Sequence, residues 1–244
     1  MGGEWEFPGG KLHRDEQRLT GLIRELREEL GVDVESARPL IRIEHAYPDR
    51  LIELDVWSVR SYRGQPVGLE GQALRWVPPA SLPEQGILEA DRPVIAAINL
   101  GYKVVFAATG YCDEPGLRHW LTQMSACGVD IVCIDSATTA VPVAGKARLA
   151  AAARACGLAV AEVTGQSVHG RFLLRDATLC DRSGLQFSLL SQAEDDFPRA
   201  EPDGAALAAI IATLSRPVFL PAAWAGQELA AAWRLGAQGI VITG

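Results

Sequence analysis

The chain lacks several features that would fix its surroundings at a glance. None of its five cysteines (Cys112, Cys127, Cys133, Cys156 and Cys180) forms a CxxC pair. All lie beyond residue 100, and an odd, scattered set argues against a disulfide framework. Buried, reduced thiols acting as small hydrophobes are the expectation. The opening MGGEWEFPGG has no basic region followed by an apolar run, so no secretory signal is read there. No stretch approaches the roughly 18 uninterrupted apolar residues of a membrane span. Positive charge is also short: 23 Lys and Arg stand against 30 Asp and Glu, a formal net charge of −7. That balance excludes a broad basic surface for nucleic acid polymers. The expectation is a soluble, cytoplasmic protein with neither a membrane nor a nucleic acid polymer as partner.

What is present is enough for a proper core. The chain has 244 residues, 48% of them hydrophobic, which allows one large domain or two small ones. Its densest chemistry lies between Trp5 and Val32, WEFPGGKLHRDEQRLTGLIRELREELGV. A Gly-rich turn leads into a helix on which Leu22, Leu26 and Leu30 recur at core spacing. Asp15 or Thr20 is placed to cap it, with a start near Asp15–Glu16 and Gly31 as the stop. Glu25, Glu28 and Glu29 sit at i, i+3 and i+4, so one face presents all three. Like charges at that spacing cost a few tenths of a kcal/mol per pair. Such a face is either an ordinary solvated one or the seat of a hard cation such as Mg²⁺, which takes carboxylate oxygens and keeps its waters and substrate phosphates.

The rest of this half reads as short elements. Two partly alternating apolar runs flank Pro48-Asp49-Arg50 and predict a β-hairpin, with His45 a strand residue beside Tyr47. Trp5–Phe7 is expected to form a short strand, and Leu74–Val77 another. Pro78, Pro79 and Pro83 break the chain, and Asp91-Arg92-Pro93 opens a helix. Glu70 lies between Gly68 and Gly71 on a loop.

With its spacing, the opening stretch resembles the Nudix box, G-x5-E-x7-R-E-U-x-E-E-x-G-U with U aliphatic. Gly10, Glu16, Arg24, Glu25, Leu26, Glu28, Glu29, Gly31 and Val32 occupy every defined position. The lead-in WEFPGGK is similar to the MutT branch. The resemblance implies hydrolysis of a nucleoside diphosphate linked to another group. Mg²⁺, with Mn²⁺ as an alternative, would be held by Glu25, Glu28, Glu29 and Glu70, helped by the Gly9 carbonyl. Glu25, Glu28, Arg24 and Glu70 form the implied catalytic set, Arg24 orienting Glu25 or the loop and Glu16 supporting from behind. Glu6, Phe7, Pro8, Gly9, Lys11 and Asp91 are the implied substrate contacts. In the MutT branch the preferred substrate is an oxidised purine triphosphate such as 8-oxo-dGTP. It is cleaved to the monophosphate and pyrophosphate, which clears it before it enters DNA.

Two departures accompany the match. The resemblance implies two further strands, roughly thirty residues, ahead of WEFPGG, so a first domain lacking its initial strands is expected. An Asn reads the purine base in that branch, and Asp91 stands in its place here. An ionised Asp only accepts hydrogen bonds, whereas Asn also donates.

Beyond Leu100-Gly101, Ala becomes abundant and the pattern changes. Apolar runs at 104–109, 130–135, 158–163, 171–174, 187–190, 217–220 and 239–243 read as buried strands. Amphipathic helices are expected over Gly116–Cys127, Gly145–Cys156, Gly204–Leu214 and Ala225–Leu235. Repeated βα units with continuous apolar strands indicate a parallel sheet or a (β/α) barrel. Seven strands fall short of the eight in a full barrel, so a shortened, incomplete one is expected. The ending LSRPVFLPAAWAGQELAAAWRLGAQGIVITG resembles the last units of thiamine-phosphate synthase. The residues that carry that enzyme's chemistry are replaced: Pro221-Ala222-Ala223 where two glycines would approach phosphate, Cys133-Ile134-Asp135-Ser136 in place of a basic segment, and Thr164-Gly165-Gln166 in place of an Asp-bearing loop. His119, Trp120, Trp224 and Trp233 read as packing or surface residues, His169-Gly170-Arg171 as a loop before a strand, and Asp195-Asp196 as a solvated loop.

The fold expected is therefore α/β: a partial Nudix α/β/α domain over 1–100, followed by a shortened TIM-type (β/α) barrel over 101–244. The leading functional expectation is a Mg²⁺-dependent nucleoside triphosphate pyrophosphohydrolase. The alternative is a non-catalytic, ligand-sensing protein that uses the barrel.

Overall fold

Leu22, Leu26 and Leu30 recur at helical spacing, and in the computed structural model they line the inner face of α1, Arg18–Leu30. The structure describes residues 4–48, 50–107, 114–135, 143–169, 172–180, 185–192, 203–225 and 228–242. Among residues singled out above, Asp49, Cys112, Ser136, Gly170, Arg171, Asp195 and Asp196 lie outside these. The chain divides into two compact units, Met1–Asn99 and Leu100–Gly244.

In the first unit, Leu26 and Leu30 pack with Val32, and Leu22, Val34 and Val59 close around them. Burying each large aliphatic side chain contributes about 1.5–3 kcal/mol. Gly31 ends α1 in the left-handed region at φ 67°, its N–H returning to the Arg27 carbonyl at 3.0 Å. Only a residue without a Cβ takes that turn at little cost. The N-terminus differs from expectation. The helix starts at Arg18, with Gln17 as the cap residue and no side-chain cap bond. Asp15 instead makes a turn at φ 63°, and Thr20 is already inside the helix.

β1 (Asp33–Tyr47) and β2 (Arg50–Arg63) form the expected antiparallel hairpin, with Tyr47 opposite Arg50 at the turn. His45 lies in β1, edge-on to Tyr47 at 4.7 Å. Two expected strands are absent. Trp5 makes a single parallel bridge to Ile87, held by Trp5 N–H to the Gly86 carbonyl and Leu88 N–H to the Trp5 carbonyl. Leu74–Val77 has no strand partner, and Trp76 is 78% exposed. Apolar alternation supplies a face, but a strand also needs a neighbouring edge for its N–H and C=O groups. α2 (Arg92–Asn99) begins with Pro93 in its first turn, where a missing N–H is harmless.

The second unit contains all seven expected strands among its described residues: β3 (Lys103–Phe106), β4 (Ile131–Ile134), β5 (Ala159–His169), β6 (Phe172–Leu179), β7 (Gln186–Gln192), β8 (Val218–Pro221) and β9 (Gly239–Ile242). They pair in sequence order, and β9 returns to β3, so the barrel expected to be incomplete is closed. Among the described residues, four helices cross between parallel neighbours: α3 (Glu114–Ala126), α4 (Val143–Ala155), α5 (Gly204–Thr213) and α6 (Leu229–Arg234). The barrel is not purely parallel. β5–β6 and β6–β7 pair antiparallel, because their connections are too short for the crossover that parallel strands require.

Alternate residues of each strand face the helices. Val105, Val132, Ile134 and Val160 pack beneath α3 and α4, with Trp120 and Leu121. Leu174, Leu190, Leu220 and Ile240 pack with Leu207 and Ile211 of α5. The other alternation fills the interior, where Phe187 and Phe219, both 0% exposed, meet edge-on at 5.3 Å. Cys133 is buried there, and burial pushes its thiol up to about 12, so it is a packing residue. Cys127 and Cys180 are exposed, against the expectation of uniformly buried thiols, because both stand just past the ends of their elements, α3 and β6. His119 is exposed; Trp224 and Trp233 are half-buried, Trp233 donating to the Gln238 carbonyl at 2.9 Å. Among the described residues, no helix is long and apolar enough to cross a membrane.

Candidate active site

Helical spacing places Arg24, Glu25, Glu28 and Glu29 on one side of α1, and the side chain of Arg24 organises the others. Its Nε and Nη2 donate to the two oxygens of Glu16 at 2.9 and 2.8 Å. Nη1 donates to Glu25 at 2.8 Å and to Glu28 at 3.2 Å, and Nη2 also reaches the Lys11 carbonyl at 3.1 Å. One guanidinium thus ties the loop before the helix to two of its acids. Glu16 accepts further from the His13 N–H at 2.9 Å. Its carboxyl is held at about 2, first by the Arg24 hydrogen bonds and then by that backbone donor. Glu16 and Glu25 are largely covered, while Glu28 keeps 57% of its side chain exposed.

Glu29 is held differently. One of its oxygens accepts from the Gly9 N–H at 3.1 Å. Partial burial pushes its carboxyl up, and the charges of Glu70, Glu25 and Glu6 push the same way. Those four carboxylates therefore share one neighbourhood. Glu28 and Glu29 also stand in the last turn of α1, where the helix dipole disfavours negative charge.

Glu70 reaches this neighbourhood because its loop is fastened to the end of α1. Val67 N–H donates to the Leu30 carbonyl at 3.1 Å and Leu69 N–H to the Glu29 carbonyl at 2.9 Å. These are carbonyls a helix leaves without partners at its C-terminus. Gln72 adds a second fastening. Its Nε2 donates to the Glu29 carbonyl at 3.1 Å while its Oε1 accepts the Glu70 N–H at 2.9 Å. Gln72 is a candidate that sequence reasoning passed over. The signal was its place beside Glu70 in GLEGQ, but its reach to Glu29 spans 43 positions.

Of the implied substrate contacts, Asp91 is 9% exposed and accepts the Phe7 N–H. Burial raises its pKa, and the charge of Glu6 adds to the effect. Glu6 thus lies near both Asp91 and Glu29. Phe7 is half-buried, whereas Pro8, Gly9 and Lys11 are exposed.

The donor set suits a hard divalent cation in its chemistry, being made of carboxylate oxygens that repel one another. Among the described residues no three His, Cys, Asp or Glu side chains converge on one point. The reason is visible in the bonds above: Arg24 draws Glu25 and Glu28 to itself, and the Gly9 N–H holds Glu29.

Comparison with known proteins adds a lineage to this geometry. The model of the NUDIX domain matches residues 1–97. An 8-oxo-dGTP diphosphatase of Escherichia coli (strain K12) is 36% identical over 98 residues, which are 40% of this chain and 76% of that protein. A CTP pyrophosphohydrolase of the same organism is 36% identical over 95 residues, 39% of this chain and 70% of that protein. A solved structure of MutT, from a study of Aliivibrio salmonicida and Vibrio cholerae, covers 40% of this chain and 76% of its own at 36% identity, with a TM-score of 0.36.

Proposed function

The chain belongs to the Nudix hydrolases through its first 97 residues, and from that premise we propose that it is a Mg²⁺-dependent pyrophosphohydrolase of nucleoside triphosphates. Oxidised purine nucleotides such as 8-oxo-dGTP are the substrate class proposed, with the monophosphate and pyrophosphate as products. The observation that carries the reading is the bonding of Arg24 to Glu16, Glu25 and Glu28, with the Glu70 loop fastened to the Glu29 carbonyl through Leu69 and Gln72.

Glu25, Glu28, Glu29 and Glu70, with the Gly9 carbonyl, are the groups proposed to hold the cation. A divalent cation held by these groups would neutralise charge that develops on the phosphate oxygens. Arg24 holds Glu25 in place through a charge-assisted bond and is itself fixed by Glu16. A carboxylate of the set, Glu25 or Glu70, takes the proton of the attacking water. The water oxygen forms the new P–O bond as the bridge between the first and second phosphates breaks, and the monophosphate and pyrophosphate separate. Glu6, Phe7, Pro8, Gly9, Lys11 and Asp91 are the proposed substrate contacts, with Asp91 at the position that reads the base. Burial, with the charge of Glu6, raises the pKa of Asp91.

The test is pyrophosphate release from a panel of nucleoside triphosphates with Mg²⁺, for this chain and for Glu28→Gln. The expected result is release that prefers an oxidised purine and is lost in the variant. No release by the folded chain would refute the reading, and equal release by Glu28→Gln would remove Glu28 from it.

A further inference from the structure

β3, β4, β8 and β9 are parallel, so their C-terminal ends meet at one rim of the barrel. Phe106 ends β3, Pro221 ends β8 and Val241 lies near the end of β9. With Leu189 and Ser191 of β7 and Arg175 of β6 they line a cavity of about 320 Å³. That is the lower end of the range for small-molecule sites, about 300–1,000 Å³. In (β/α) barrels this rim is the end at which ligands are met.

The cavity has a closed floor. Phe219 lies two residues before Pro221 and Phe187 two before Leu189, so both point the same way as the lining residues, one layer deeper. Both are fully buried, as is Cys133. Among the described residues the walls are mainly apolar, and the charge among them belongs to Arg175. Its guanidinium lies over the Phe106 ring, 5.8 Å from the centroid. Its Nε stands 3.8 Å from a carboxylate oxygen of Asp135. Asp135 keeps 4% of its side chain exposed and Arg175 keeps 25%. The accessible charge is therefore the cation, with Asp135 and Phe106 fixing its plane. The Nη1–Nη2 edge has the fork geometry that meets a carboxylate in two parallel bonds.

Phosphate is a poorer match. Phosphate sites gather several donors, commonly backbone N–H groups at a helix start or nest. Pro221 offers no N–H, and among the described residues the cavity has no second Lys or Arg in its lining. We propose that the barrel mouth is a binding site for a small organic monocarboxylate. Its apolar body rests on Phe106, Leu189 and Val241, and its carboxylate pairs with Arg175. Ser191, whose hydroxyl otherwise makes only a long 3.5 Å bond to the Leu173 carbonyl, supplies a second donor.

The experiment titrates the full chain with benzoate, hexanoate, phenyl phosphate and benzyl alcohol, read by ligand-observed NMR and calorimetry. Benzoate or hexanoate should saturate with a Kd of about 1 mM or below. Arg175→Met should weaken that binding by about tenfold or more, the effect of losing a charged hydrogen bond, and Arg175→Lys by less. Ser191→Trp fills the cavity from its half-exposed rim and leaves Arg175 in place. It should abolish carboxylate binding at an unchanged melting temperature, and it decides the matter if Arg175→Met does not fold. The proposal is overturned if neither carboxylate saturates, if phenyl phosphate or benzyl alcohol binds as tightly as benzoate, or if folded Arg175→Met or Ser191→Trp binds undiminished.

Discussion

The guanidinium of Arg24 forks onto the carboxylate of Glu16, Nε to Oε1 at 2.9 Å and Nη2 to Oε2 at 2.8 Å. Eight positions separate the two residues, so this bond, more than any within the helix, locks the Gly-rich loop to α1. The lock has a pH signature. The Glu16 carboxyl is held at about 2 against an ordinary value of 4.5. A depressed carboxyl contributes stability that is fully present above its unfolded value and is lost as pH falls toward the folded one. Glu16→Gln should therefore flatten the loss of stability between about pH 4.5 and 2, with little change in pH dependence near neutrality. Denaturant midpoints measured across that range check it. An acid limb identical in wild type and variant would show that the lock does not hold in solution.

Gly10 is next to the Glu25 carboxylate, and a Cβ added there would overlap it. The obstructing atoms are the end of a flexible side chain, so the variant should fold. Gly10→Ala is expected to displace Glu25 and reduce turnover by about tenfold or more, the scale of a lost supporting contact. The melting temperature should barely move. Turnover equal to wild type would mean that Glu25 need not sit where Arg24 now holds it.

Gln72 joins Glu70 to Glu29 through its two amide ends. Gln72→Ala should lower turnover and raise the Mg²⁺ concentration for half-maximal rate, each on the order of 10–100-fold. Gln72→Glu keeps the acceptor for Glu70 and loses the donor to Glu29, so its defect should lie mainly in metal affinity, with a fifth negative charge now beside the set. Metal titrations of both variants, alongside melting curves, separate this from simple loss of stability. Unchanged half-saturation in both would leave Gln72 as a loop fastener alone.

Phe187 and Phe219 meet at the centre of the barrel with no solvent exposure. Phe219→Ala should destabilise the second unit by about 3–5 kcal/mol, the transfer cost plus that of the cavity left behind. Phe219→Leu, closer in volume, should cost clearly less. Denaturant unfolding followed by near-UV circular dichroism measures both. A cost below about 1 kcal/mol for the alanine variant would show an interior far more plastic than close packing allows.

Much of this architecture could be read from the chain because the deciding forces act over a few residues. The Leu22-Leu26-Leu30 stripe, the stop at Gly31, the hairpin around Pro48 and the seven apolar strands of the second unit are all local patterns of period 3.6 or 2. The errors were also local readings. Trp5–Phe7 and Leu74–Val77 have strand-like composition, yet each lacks an edge to pair with beyond a single bridge at Trp5. The helix start was placed at Asp15–Glu16 from the spacing of the box, while Glu16 was needed to bind Arg24.

The Trp5–Val32 stretch by itself determined the family and the common face of Glu25, Glu28 and Glu29, because both depend on residue type at fixed spacing along the chain. Tertiary structure decided what those acids meet. It brought Glu70 to Glu29 through Gln72, turned Arg24 onto Glu16, and set the Asp91 carboxyl in a buried place beside Phe7. It likewise closed the barrel with two antiparallel pairings and set Arg175 between Asp135 and Phe106. Apart from the Arg24–Glu16 bond and the short-linked antiparallel pairs, these join residues far apart in sequence, and their pairing depends on long-range closure that no local periodicity encodes.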